Sequence, residues 1–270
     1  MTDHLTEKIF VFTIGAIIGS FLNVCIHRMP ANKSIISPPS HCPKCNKSLY
    51  WYDNIPVLSY IALLGRCRFC RERISVRYPV VELVTAFIMT VLFVIFGLTP
   101  EFFAYLVMTC GLIIESFIDW ETKEISLQIV FGGIVAGMTL SFLLPPLMDS
   151  VNRIHALMHS IAGVIAGAGI TFIVEKFCTF IFKKKVEELG EKMAMGSGDM
   201  YLMAMIGAFL GWKLVLLTFF IAPVLGIVPG TILSKGGSKT IPYVPFLSMA
   251  AMISVFFGNR ILNLLSYGFF

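Results

Sequence analysis

Asp199 closes the run Met195–Gly196–Ser197–Gly198–Asp199 and stands directly before an apolar stretch, Met200 to Leu210. A carboxylate at the edge of such a stretch is costly to ionise, and acids in membrane segments mark functional sites by default. Gly196 and Gly198 remove two side chains beside it, so the backbone can turn sharply and another chain can come close. A lone Asp before an apolar run is also an ordinary helix N-cap. A second acid shifts the weighing. Asp119 ends another apolar run, Phe102 to Ile118, and Glu115 lies four residues earlier on the same helix face. Two aspartates meeting at one membrane face cannot both ionise easily, and such a pair shares a proton. The ionised member can take a proton from water while the protonated one polarises a carbonyl, each transfer contributing roughly 10²–10⁴-fold. That is peptide hydrolysis by paired aspartates, with the glycines admitting an extended substrate backbone.

A second constellation is metallic. His41-Cys42-Pro43-Lys44-Cys45 is followed, after 21 intervening residues, by Cys67-Arg68-Phe69-Cys70. Two Cys-x-x-Cys knuckles at this spacing match the four-thiolate zinc pattern, and two matched pairs argue against a redox dithiol. A site with four thiolate ligands is closed and structural. It lies in the one long polar segment, residues 28–78, which is too short for a large core and needs a staple. Lys44, Lys47, Arg66, Arg68, Arg71 and Arg73 could offset the negative charge of the thiolates or lie on anionic headgroups.

The elements that position these groups are membrane spans. The chain has 270 residues, 57% hydrophobic and only 14% charged, with a mean hydropathy of +0.83. Soluble domains sit near 45–50% apolar and about 25% charged, so the fold class is an all-α polytopic membrane protein. The net charge of +5 does not point to nucleic acid, because the basic residues flank apolar runs. The first apolar run lacks a basic n-region and a cleavage site, so it reads as a retained span rather than a signal peptide. About eight spans are expected, near 9–26, 80–96, 102–118, 127–144, 156–182, 200–210 with its flanks, 214–233 interrupted by Pro223 and Pro229, and 245–261. Gly163-x-x-x-Gly167 in the fifth permits close helix packing. No repeat is visible. Placing the N-terminus outside puts 17 of the 21 Lys and Arg residues on the inner side, as the positive-inside rule requires. The zinc segment, Asp119 and Asp199 then all face the cytoplasm. The domains are a first span, 1–27, a zinc-binding segment, 28–79, and a membrane-embedded peptidase domain, 80–270. A transporter with paired acids is the competing reading, but it would place them near the bilayer midplane rather than at span ends.

Several motifs together resemble the type IV prepilin peptidases, integral-membrane aspartic proteases. They are Gly19-Ser-Phe-Leu-Asn-Val with Arg28-Met-Pro30, the two knuckles with Asn54-Ile-Pro56 and Arg77-Tyr-Pro-Val-Val-Glu82, Asp119 after an apolar span, Gly196-Ser-Gly-Asp199 with Leu202-x-Ala204, and Ile241-Pro-Tyr-Val-Pro245. The resemblance covers nearly the whole chain. It implies Asp119 and Asp199 as catalytic acids, with Gly196, Ser197 and Gly198 as the active-site loop. It implies cleavage of short basic leaders from prepilins and pilin-like secretion subunits at a bacterial inner membrane. It also implies N-methylation of the new N-terminus from S-adenosylmethionine, against the alternative of a peptidase alone. Glu82, Asn23, Arg28 and Glu115 are candidates for methyl transfer or substrate positioning. Glu82 could instead be an ion-pair partner of a basic residue such as Arg77. Two positions depart from the family pattern: Ile125-Ser126-Leu127 stands where Ile-Pro-Asp is common, and Tyr201 where Lys is common.

Overall fold

The computed structural model describes residues 2–181, 196–235 and 242–267. Among them the regular structure is helical: α1 (Thr2–Arg28), α2 (Leu58–Ala62), α3 (Arg77–Phe96), α4 (Pro100–Thr122), α5 (Leu127–Leu143), α6 (Arg153–Ile181), α7 (Ser197–Lys235) and α8 (Val244–Tyr267). Short 3-10 turns occupy Trp51–Asn54 and Pro145–Met148. Six of the helices are long and apolar enough to cross a membrane, and α5 is a shorter apolar helix. In hydrocarbon each segment must close its backbone hydrogen bonds within itself, and helix does that. The chain is a multi-pass, all-helical membrane protein. It divides into two compact units, Met1–Leu106 and Val107–Phe270. This boundary follows packing and falls within α4, whereas the division expected at 79/80 follows composition.

In the first unit α1 and α3 lie with their backbones in contact. A Cβ on Gly15 would come within 2.7 Å of the Ala86 Cα, and one on Gly19 within 2.7 Å of the Glu82 Cα. As position rises along α1 it falls along α3, so the pair is antiparallel. Between them runs the polar segment, where only Cys42, Asp53, Gly65 and Cys67 are buried between residues 29 and 78. No apolar core exists there to hold it.

In the second unit the decisive feature is Gly211 (φ 72, ψ 176), a non-helical residue inside α7. A Cβ on Gly167 of α6 would lie 2.8 Å from the Met203 carbonyl carbon and 3.1 Å from Val215 Cγ2. In a straight helix Met203 and Val215 would be about 18 Å apart at 1.5 Å per residue. Both can touch one glycine only if the chain reverses at Gly211. The sixth and seventh spans of the sequence are therefore two antiparallel arms with no loop, and counting α7 twice and α5 once gives eight apolar segments. Pro223 and Pro229 do not interrupt the second arm: α7 runs helical through both. Neighbouring helices can re-satisfy the carbonyls that membrane prolines free.

The break takes carbonyls at the end of the first arm away from their helical donors. That of Ala208 is taken by two hydroxyls, Ser160 Oγ at 2.7 Å and Ser141 Oγ at 3.2 Å. Gly163 and Gly207 meet backbone to backbone, so the close packing read from Gly163-x-x-x-Gly167 is present and α7 is its partner. Gly207→Val is expected to drive a branched side chain into the Gly163 carbonyl. It should cost about 1–3 kcal/mol or more, seen as a lower melting temperature in detergent. An unchanged melting temperature would contradict this packing. The α8 helix closes the unit through Thr218 Oγ1 to Ser254 Oγ at 2.9 Å and Ser116 Oγ to Ser248 Oγ at 2.8 Å.

These contacts give the unit two distinct ends. Met148 packs on Gly211 at one. The α4–α5 turn, the start of α7 and the start of α8 gather at the other.

Candidate functional site

Asp119 sits in the last turn of α4, and Asp199 in the first turn of α7. Both are buried, and they are close enough for their charges to interact. Asp119 Oδ2 accepts the Val244 N–H at 3.1 Å, and the backbone N–H of Tyr243 also reaches this carboxylate. These are free donors at the start of α8, where helix geometry leaves N–H groups without internal partners. Tyr243 stands just ahead of α8 and faces Asp199. Burial first, and then the Asp199 charge, push its phenol up to about 12. It stays a neutral O–H donor across any working pH.

The Gly-x-Gly run differs from its sequence reading. Ser197 and Gly198 belong to the first helical turn, not to a loop, and Asp199 N–H bonds to the Gly196 carbonyl at 3.1 Å. Nothing is described for the Ser197 side chain, and Met195 with the preceding charged loop lies outside the described residues. Gly198 does not leave room for substrate. A Cβ there would lie 2.5 Å from Ile125 Cδ1, so a side chain of the α4–α5 turn already fills that space. Gly196 is exposed, and a Cβ there would meet Asp199 Oδ2 at 3.7 Å, an ordinary contact distance.

Glu115 is fully buried one helical turn before Asp119. Its Oε2 accepts the Ser126 N–H at 3.1 Å, and its Oε1 is buried without a hydrogen-bond partner. Ser126 caps α5, accepting N–H bonds from Ile129 and Val130 through its carbonyl. Where the family pattern places proline there would be no N–H for Glu115 to hold. At the other departure, Tyr201 packs on Phe131 of α5 with ring centroids 5.9 Å apart.

In the first unit Cys42, Cys45, Cys67 and Cys70 bring their sulfurs within 4.8 Å of one another. Cys42 Sγ and Cys70 Sγ lie 3.8 Å apart. Four sulfurs about 2.3 Å from a tetrahedral zinc are about 3.8 Å from each other, so the donor set fits that ion. The two knuckles share one backbone. Asn46 N–H bonds to the Cys42 carbonyl at 2.9 Å and Arg71 N–H to the Cys67 carbonyl at 3.0 Å. Asn46 (φ 55) and Arg71 (φ 59) both take the left-handed conformation, and bridges His41–Ser48 and Arg66–Arg73 close the two turns. This is a repeat the sequence conceals, because only the cysteine positions are shared. Arg68, read from sequence as a charge offset, is committed to Asp53, with Nη2–Oδ1 at 2.7 Å and Nε–Oδ1 at 3.0 Å.

Asn23 and Glu82 share the α1–α3 seam. Asn23 Nδ2 donates to the Tyr78 carbonyl at 3.0 Å, while its Oδ1 is buried without a hydrogen-bond partner. Glu82 Oε2 accepts the Val57 N–H at 2.8 Å, and the carboxylate also bonds the Ser20 side chain. It thereby holds Val57 at φ 61, a conformation that β-branched residues rarely take. Arg28 donates to the Ser34 carbonyl at 3.0 Å and the Pro38 carbonyl at 2.7 Å, ordering the first loop of the polar segment. Glu115 belongs to the other unit.

Comparison with known proteins follows the same division. Residues 13–96 match the Bacterial Peptidase A24 N-terminal domain, and residues 106–231 match the Type IV leader peptidase family. The prepilin leader peptidase/N-methyltransferase of Stutzerimonas stutzeri is 30% identical, over 96% of this chain and 94% of that protein. The chain belongs to the type IV leader peptidase family. The Aeromonas salmonicida protein of the same name is 33% identical, over 93% of this chain and 91% of its own. The Myxococcus xanthus one is 38% identical over 86% of this chain, a match spanning 66% of that protein's length. No solved structure matches. The leader peptidase match contains Glu115, Asp119, Ile125 and Asp199 and stops short of Tyr243 and Val244, whose N–H groups hold Asp119. The four cysteines lie in the match to the N-terminal domain.

Proposed function

We propose that this chain cleaves the short basic leader from type IV prepilins and pilin-like secretion subunits, with Asp119 and Asp199 as the cleaving pair. The observation that carries the reading is their convergence: two buried acids from separate helices meet at one end of one compact unit. One carboxylate takes a proton from water, whose oxygen attacks the scissile carbonyl. The other, protonated, donates to the carbonyl oxygen, and collapse of the tetrahedral intermediate delivers a proton to the leaving amine. Backbone N–H bonds from Tyr243 and Val244 fix Asp119, and the exposed Gly196 lies beside Asp199. We assign the peptidase domain to 80–270, with Gly196, Ser197 and Gly198 flanking the pair.

The reaction takes place at the cytoplasmic face of a bacterial inner membrane. The distribution of lysine and arginine supports this orientation. The four cysteines hold one structural zinc, which stabilises the polar segment and takes no part in hydrolysis.

The same protein methylates the exposed N-terminus. The names of the relatives support this second activity. The methyl group passes from the sulfonium of S-adenosylmethionine to a neutral amine, which then loses a proton, so the protein supplies proximity and a proton acceptor. Glu82, Asn23 and Arg28 remain the candidates to frame that reaction. Glu82 is the candidate to take that proton, and the Asn23 carbonyl oxygen, buried without a hydrogen-bond partner, is an acceptor that can hold the amine but not deprotonate it.

Both activities are read in one experiment. The protein is co-expressed with a leader-bearing prepilin, and the product is weighed by mass spectrometry. Loss of the leader plus one methyl group is expected. An intact prepilin would remove the peptidase reading. A trimmed but unmethylated product, with S-adenosylmethionine supplied, would mean a peptidase alone.

A further inference from the structure

We propose that Glu115 is a positioning residue for the aspartate pair: it clamps the α4–α5 turn so that Ile125 braces Gly198 and holds Asp199 opposite Asp119. The inference rests on the proposed role of that pair. Glu115 has no exposed surface, so it is not a group that substrate meets from solvent. Among the described residues its Oε2 accepts the Ser126 N–H at 3.1 Å, eleven residues along the chain and across the turn. That turn begins where Lys123, at φ 56, bonds its N–H to the Asp119 carbonyl at 3.0 Å. It ends where Ser126 starts α5. Ile125 stands one residue before this anchor, and its Cδ1 occupies the space a Cβ of Gly198 would need. Gly198 adjoins Asp199. A continuous path of contacts thus links the buried acid of α4 to the turn that carries Asp199, without passing through Asp119. Because Glu115 and Asp119 are one turn apart on the same helix, the clamp measures the gap between the two aspartates from the helix that carries one of them.

An acceptor, not a charge, is what the clamp requires. Glu115→Gln keeps an oxygen for the Ser126 N–H, and Glu115→Leu removes it at similar volume. The test uses full-length protein in lipid and a leader-bearing prepilin peptide, with kcat, KM and melting temperature measured for each variant. Glu115→Leu is expected to lower kcat by about 10–100-fold with KM and melting temperature near those of the unaltered protein, since a misplacement of about 1 Å can cost 10²-fold. Glu115→Gln is expected to restore kcat to within a few-fold. Ile125→Ala should reproduce the kcat loss, and the double variant Glu115→Leu/Ile125→Ala should be no worse than the poorer single, because both act through one path. A Glu115→Gln as impaired as Glu115→Leu, an additive double variant, or full kcat in Glu115→Leu would each overturn the clamp. Should Glu115→Leu fail to fold, Glu115→Gln with normal kcat and Ile125→Ala with lowered kcat still support it, and the reverse pattern refutes it. Asp119→Asn serves as the control. If the unaltered protein cleaves and Asp119→Asn does not, the reading of the pair stands whatever Glu115 does.

Discussion

Asp119→Asn and Asp199→Asn should each lower leader cleavage by about 10³-fold or more, leaving a folded, inserted protein. The size follows from the chemistry. Each proton transfer contributes roughly 10²–10⁴-fold, and neither can proceed by this route once one member cannot change its protonation. The fold should survive because asparagine keeps the contacts that matter locally. At position 119 its carbonyl oxygen can still accept the Val244 N–H that Oδ2 accepts at 3.1 Å. At position 199 the backbone bond from residue 199 to the Gly196 carbonyl is independent of the side chain. The measurement is single-turnover cleavage of a prepilin peptide, with the melting temperature as the folding control. Near-normal cleavage by either variant would remove that aspartate from the reaction.

Removing the metal should have the largest effect on structure. Purified protein should carry about one zinc per chain. Chelation, or Cys42→Ser, should expose residues 29 to 76 to proteolysis while the apolar helices stay protected. The reason is the lack of a buried apolar core in this segment. Between residues 29 and 78 the buried side chains belong to Cys42, Asp53 and Cys67, and Asp53 pairs with Arg68, whose side chain is exposed. Structural zinc supplies roughly 10–16 kcal/mol of apparent binding free energy to such peptides, and in a segment without a core that energy is the folding energy. Limited proteolysis with thiol titration reads the outcome. A metal-free protein with four reactive thiols and an undiminished resistance to protease would sink the assignment.

What the sequence revealed and what it hid divide along physical lines. The knuckles were legible because metal geometry imposes a local spacing, and the apolar segments because hydrocarbon demands length and composition. The two aspartates stood out because ionisable groups beside apolar runs are rare. Contacts between distant residues left no such mark. Nothing in Gly198 announces that Ile125 fills its side-chain space, and nothing in Ser126 announces that Glu115 holds its N–H. The donors to Asp119 are backbone groups of Tyr243 and Val244, and every residue but proline has one. Prolines misled in the other direction. Pro223 and Pro229 suggest interruption, yet the helix runs through them, and the reversal comes at Gly211, one of many glycines and marked out by its dihedral angles alone.

That reversal has a consequence for how the protein inserts. Since α7 folds back on itself at Gly211, its first and last residues leave the bilayer on the same side. The arms therefore add an even number of crossings, and the sidedness of α6 and α8 is the same with the hairpin as it would be without it. Asp199 rides on an insert of neutral parity: the orientation of every other segment can be fixed by its own flanking charges, and the arm carrying the acid follows its partner in.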